Sequence, residues 1–137
     1  HKEPACVSRE LFKSVLDDRA RGVFQGMILV RKEAQETDGK MMSRALMLSD
    51  RCEMDNKPEL EIYADQVQCG HGATTGAIDE DLLFYLRSRG IPESVAQGLL
   101  IEAFIYEALE AIGNDAIQDE LSRYAHDWVA VRRDTGE

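Results

Sequence analysis

ELEIYADQVQCGHGATTGAIDEDLLFYLRSRG, residues 59–90, is where this chain changes its period. In its first half apolar and polar residues alternate, as on a half-buried strand, whereas from Asp79 onward the apolar residues Leu82, Leu83 and Leu86 recur at helical spacing. Val67, Cys69, His71 and Ala73 occupy successive alternate positions, so on an extended strand they leave one face while Gln66, Gln68 and Thr74 leave the other. A thiol and an imidazole then stand side by side at the point where the strand pattern stops.

Upstream, residues 1–76 read as short extended segments around 11–16, 23–30, 45–48, 60–64 and 67–73, punctuated by Gly22, Gly26, Gly39, Asp50, Asp55 and Pro58. This spacing predicts a sandwich, a barrel or a coil of short strands, and no exact sequence repeat chooses among them. Downstream, Asp79 is placed to cap a helix that Arg87 and Arg89 complement at its negative end, with Gly90 just beyond it. Pro92 suits the first turn of a second helix, whose Val95, Leu99, Ala103, Tyr106 and Leu109 form an apolar stripe until Gly113 ends it. Asn114 caps a third, in which Ile117, Leu121, Tyr124, Trp128 and Val131 form a 4-3-4-3 seam that needs burial. The predicted organisation is therefore a strand region over 1–78 and a helical region over 79–137.

The composition is that of a globular chain: 137 residues, 44% hydrophobic and 31% charged, enough for a real core. Its net charge of −10 is uneven, with 13 acidic and 11 basic side chains in residues 1–78 against 13 and 5 in residues 79–137. No cluster of Lys and Arg is available to release counterions from a phosphate backbone, which argues against nucleic acid as a partner. Three widely spaced cysteines, Cys6, Cys52 and Cys69, read as thiols of a reducing compartment rather than a disulfide framework. With no apolar run of about 20 residues and no signal-peptide pattern, the expectation is a cytoplasmic protein without membrane insertion.

By spacing alone, Cys69 and His71 are half a metal site at best. Their Cβ atoms would lie about 7 Å apart on a strand, so further ligands must arrive from elsewhere. A small thiol packed beside a hydrogen-bonded imidazole explains the same spacing and is favoured by it. A nucleophilic dyad needs the imidazole within hydrogen-bond reach of sulfur and a third orienting group, so no enzyme is indicated. GHGATTG, residues 70–76, has neither the Lys-Ser/Thr ending of a P-loop nor dinucleotide-loop spacing, and Asp79, Glu80 and Asp81 would repel phosphate. Its glycines read instead as conformational freedom at a strand-to-helix junction. His126 beside Asp127 reads as a solvated helix face, and Met41, Met42, Met47 and Met54 as core filler or turn residues.

LEIYADQVQCGHGATTGAIDEDLLFYLRSRGI, residues 60–91, together with SRELFKSVLDDRARGVFQGMILV (8–30) and AQETDGKMMSRALMLSD (34–50), resembles the SufB/SufD family of iron–sulfur cluster assembly scaffolds, in its SufD-type branch. The resemblance runs on through 93–112 and covers nearly everything but the tail. It implies a mainly β fold with α, in which the end of a right-handed parallel β-helix is followed by a helical segment. Family members are far longer, so the chain looks like a C-terminal part that begins partway through the β-helix, with an open end capped by a partner or by self-association.

The resemblance further implies a non-enzymatic subunit that pairs through its strands with a SufB-type scaffold and docks a SufC-type ABC ATPase through its helices. In isolation a homodimer is expected. No stably bound cofactor is implied for this chain alone, only a transient iron–sulfur cluster shared with the partner, for which His71 and then Cys69 match the family's ligand positions. Gly72 stands where the SufB-type sister carries an acidic residue in a CEHEAT-like motif, which assigns the chain to the auxiliary role. The alternatives are a purely structural interaction module and a stabiliser of an iron-uptake ABC transporter, both without metal ligation.

Overall fold

The structure, a computed structural model, describes residues 1–134, with side chains for residues 1–131. Five strands precede three helices: β1 Val7–Leu16, β2 Arg21–Val30, β3 Asp38–Met47, β4 Glu53–Ile62, β5 Gln68–Gly76, α1 Glu80–Ser88, α2 Glu93–Leu109 and α3 Asp115–Asp134. They form two compact units, His1–Gly76 and Ala77–Glu137.

In the first unit the strands alternate between two parallel sheets, ordered β1-β3-β5 and β2-β4. Val7 lies opposite Asp38, which lies opposite Gln68, and Arg21 lies opposite Glu53. The chain therefore returns to the same register after 31 and 30 residues in one sheet and 32 in the other. Of the architectures the spacing allows, this topology selects the coil. The result is a mixed β and α protein with parallel sheets and three helices.

Register decides which residues face inward. Ile28 and Val30 of β2 and Met41 and Ala45 of β3 are buried, whereas Arg21, Val23 and Gln25 of β2 and Lys40 of β3 are exposed. One cluster gathers Ile28, Val30, Ala34, Met41 and Ala64, and a second gathers Leu16, Ala45 and Cys52 against Met47 and Met54. An inner polar bridge between the sheets is satisfied, since the buried Ser43 hydroxyl donates to Asn56 Oδ1 at 2.7 Å. Cys6, Cys52 and Cys69 are all free thiols.

Gly26 marks how closely the sheets approach. A Cβ there would stand 2.9 Å from Met41 Sδ, so the thioether occupies the place a side chain would take. Met41 is 2% exposed and cannot be replaced from solvent. Met41→Ala is expected to lower unfolding free energy by roughly 2–5 kcal/mol, read from the denaturant midpoint at unchanged slope. A loss below about 1 kcal/mol would show that the coil collapses onto the cavity at little cost.

The second unit follows the local signals closely at its ends. Asp79 Oδ1 accepts from the Asp81 and Leu82 amides at 2.9 and 3.1 Å, and Gly90 takes φ +85° after the last turn of α1. Asn114 Oδ1 accepts from the Ile117 amide at 3.2 Å and caps α3. Pro92 sits one position earlier than expected, as the N-cap of α2 rather than inside its first turn, and α2 ends at Leu109, ahead of Gly113.

The faces of α2 and α3 differ from the expected ones. Ala96, Gly98 and Ile101 are buried on α2, while Leu99, Ala103 and Tyr106 of the predicted stripe are exposed. On α3, Gln118 Nε2 reaches Tyr106 Oη at 3.4 Å and His126 Nδ1 reaches Glu102 Oε1 at 3.0 Å, so the 118/122/126/129 side is turned to α2. Val129 is fully buried, whereas Leu121, Tyr124 and Trp128 of the seam remain 41%, 77% and 46% exposed. The physical reason is that α2 is apolar on nearly every side, so period alone does not choose the face that packs.

Candidate functional site

The last strand of the coil, β5, lies at one edge of its sheet, paired to β3 on one side only. Its register partners fix its faces. Cys69, His71, Ala73 and Thr75 stand beside Gly39, Met41, Ser43 and Ala45 and share their inward face, while Gly70, Gly72, Thr74 and Gly76 share the outer face of Lys40, Met42, Arg44 and Leu46. The expected placement of Cys69 and His71 on one face is what the register shows.

Their surroundings differ. Cys69 is half-buried, packed against the cluster of Ile28, Val30 and Met41, with its Sγ 3.5 Å from where a Gly39 Cβ would stand. His71 is one strand-step closer to solvent, exposed, and the described residues offer its ring no hydrogen bond or ion pair. Its inner neighbour in the register is the buried Met41, yet His71 itself is exposed. The packed-imidazole explanation predicted from spacing thus fits the thiol and not the histidine. Among the described residues no group of three or more His, Cys, Asp and Glu is assembled to hold a metal ion. A thiol and an imidazole are donors of the kind that suit iron or an iron–sulfur cluster.

The glycines of this strand do not serve as a junction. Residues 68–76 are extended throughout, and Gly90 is the glycine with positive φ. At Gly72 a Cβ would stand 2.7 Å from Met42 Cε, the flexible end of a side chain that can give way. The strand-like geometry also removes any phosphate-cradling loop from this segment.

Backbone direction makes the β5 edge usable. The Gln68 amide donates to Thr37 O at 2.8 Å, toward β3, so by alternation the amides of Cys69, His71, Ala73 and Thr75 point to the open edge. Residues 66–78 carry no Asp, Glu, Lys or Arg. The β4 edge of the other sheet is different. Its Glu53 and Tyr63 amides donate toward β2, which places Pro58 where an edge amide would otherwise be, among Asp55, Lys57, Glu59 and Glu61. Proline and charge are the usual means by which an edge refuses another strand, and β5 has neither. Sequence reading missed this contrast, although the uncharged run at 66–78 and the even-numbered Pro58 carried the signal.

At the start of the same sheet Arg9 pairs with Asp38, and that hydrogen bond holds the Asp38 carboxyl below its ordinary range. His126, read as solvated, is exposed and paired with Glu102; it does not join Asp127 as a ligand pair. The helical unit adds an apolar surface. Leu82, Phe84 and Tyr85 of α1 are exposed, with the Arg89 guanidinium 4.3 Å over the Tyr85 ring, and the α3 seam is exposed as described.

Comparison with known proteins bears on both units. Residues 1–104 match the family described as SUF system FeS cluster assembly, SufBD core domain. The chain is 45% identical over 121 residues to the iron-sulfur cluster assembly protein SufD of Escherichia coli, covering 88% of this chain and 29% of that protein. It is 42% identical over 118 residues to a SufBD family protein of Synechocystis, covering 86% and 26%. It is 37% identical over 118 residues to an Arabidopsis thaliana protein, ABCI7, named as chloroplastic, covering 85% and 25%. The chain thus spans a quarter to under a third of the length of these relatives. No helix among the described residues is long and apolar enough to cross a membrane.

Proposed function

The chain belongs to the SufB/SufD family, in its SufD-type branch, and from that membership we propose that it acts in iron–sulfur cluster assembly as a non-enzymatic scaffold subunit. The coil is the end of a right-handed β-helix, the hand that parallel crossover connections overwhelmingly take. Its β5 edge pairs with a strand of a SufB-type subunit, and the helical unit docks a SufC-type ATPase, to which ATP hydrolysis belongs. The cluster is cargo, held between chains. Cys69 as thiolate and His71 through a neutral ring nitrogen supply this chain's share of its ligands, and the partner supplies the rest.

The observation that carries this reading is the open, uncharged β5 edge with His71 exposed on its inner face, set against a β4 edge closed by Pro58. An added strand brings its inward side chains within about 5 Å of Cys69 and His71, which is how an incomplete donor set becomes complete. The homologues' names support the assembly role, and the outward direction of the edge amides supports strand pairing.

Ala73→Pro tests it. The Ala73 amide points to the open edge, so proline there removes an edge donor and leaves the β3–β5 ladder intact. Co-purification with the SufB-type subunit is expected to be lost while the melting temperature of the subunit stays within a few degrees. Undiminished co-purification would show that pairing does not use this edge.

A further inference from the structure

We infer that the corner where β3 turns into β4 binds a soft monovalent metal ion, Cu(I), through the Cys52 thiolate and the Met47 thioether, with the Met54 thioether beside them. The site is separate from Cys69, His71 and the β5 edge. Met47 ends β3, Cys52 immediately precedes β4, and Met54 lies in the first turn of that strand's pleat. The connection between the two strands brings all three sulfurs into one cluster with Leu16 and Ala45.

Cys52 Sγ lies 4.0 Å from Met47 Sδ. Two sulfurs on one metal, each at about 2.3 Å, stand no more than about 4.6 Å apart, so this pair can share an ion as it stands. Met54 packs on the same cluster, where Gly22 leaves room for its Sδ, 2.6 Å from the place of a Cβ. Leucine fills such places about as well as methionine, so packing alone gives the corner no reason to gather sulfur.

Acceptors also crowd the Cys52 thiol. Besides the Met47 thioether, Sγ has Ser49 O at 2.9 Å and Leu16 O at 3.6 Å, and its single proton can be donated to one of the three. The other two turn electron pairs toward a buried sulfur without a proton between them. A cation bound at the sulfur answers them where one proton cannot.

The surroundings select the ion. The cluster is made of Leu16, Ala45, Cys52, Met47 and Met54, with no carboxylate or imidazole among them. Cu(I) replaces the thiol proton, one S–H bond breaking and one S–Cu bond forming as the proton leaves for solvent, and the net charge of the corner is unchanged. A divalent ion in the same place would leave an uncompensated positive charge in apolar surroundings. Thiolate and thioether donors together favour Cu(I). Cys52 is 7% exposed, but Met47 and Met54 are half-buried, so the ion enters past the thioethers.

Met47→Leu combined with Met54→Leu tests the site in the whole subunit, since it removes both thioethers and keeps volume and apolar character. Its melting temperature is expected to stay within a few degrees of wild type. In anaerobic competition with bicinchoninate, the wild type is expected to take up an equivalent of Cu(I) that the leucine pair binds about tenfold more weakly or worse and that Cys52→Ala lacks. Unchanged affinity in the leucine pair overturns the inference. So does an equivalent that Cys52→Ala retains and His71→Ala loses, which would place the copper at Cys69 and His71 instead. Should Cys52→Ala melt early, the leucine pair alone decides, with weakened uptake supporting the site and unchanged uptake removing it.

Discussion

His71→Ala is expected to reduce iron or cluster uptake by the reconstituted SufB/SufD-type pair at least tenfold, in an anaerobic titration followed by absorbance. The figure is the lower end for metal sites in which even outer-shell partners cost 10- to 100-fold. The imidazole is exposed and makes no hydrogen bond to the described residues, so its removal leaves no buried group unsatisfied. Surface changes of this kind stay within about 0.5 kcal/mol, and the melting temperature should hold. Cys69→Ser gives a useful contrast. Its sulfur is half-buried against Ile28, Val30 and Met41, so it should lower stability as well as uptake. Equal uptake by wild type and His71→Ala would remove the histidine from the site and leave a purely structural interaction module. Unfolding of His71→Ala would mean that the ring serves packing.

Leu121→Asp combined with Trp128→Asp should abolish capture of the SufC-type ATPase, with at least a 100-fold loss of affinity. Truncating a buried tryptophan anchor commonly costs 2 kcal/mol or more, and an aspartate adds a desolvation cost that a partner surface must meet. The two side chains are 41% and 46% exposed, and the helix turns its other side, at Gln118, His126 and Val129, toward α2. Each side chain is partly covered, so helicity and melting of the variant are measured beside capture, with about 0.7 kcal/mol or less of helix propensity lost at each aspartate. Retained helicity with lost capture identifies the seam as the docking face. Unaltered capture would place the ATPase elsewhere.

Much of this chain could be read locally. The change from period 2 to period 3.6 near Gly76 and the caps at Asp79, Gly90 and Asn114 depend on residues only a few positions apart, and each stands where the spacing puts it. The spacing starts three strands several residues late, at Leu11, Ala45 and Leu60 instead of Val7, Asp38 and Glu53, because polar residues such as Arg9, Lys40 and Lys57 line the outer face of the coil. The shared face of Cys69 and His71 was legible for the same reason as the strand itself. That the thiol is packed and the imidazole open was not, since it depends on Met41 and Gly39, 30 residues away.

By itself the sequence determined which segments are strands and helices, where the strand region gives way to helices, and that a thiol and an imidazole share one face of a strand. Only the tertiary structure decided that β5 is an unguarded edge while β4 is a guarded one, and that α3 packs by the side of Val129 and leaves Trp128 outside. Period and capping arise from torsions and hydrogen bonds between near neighbours along the chain. Edges and packed faces are set by which distant segment lies alongside, and no local pattern contains that.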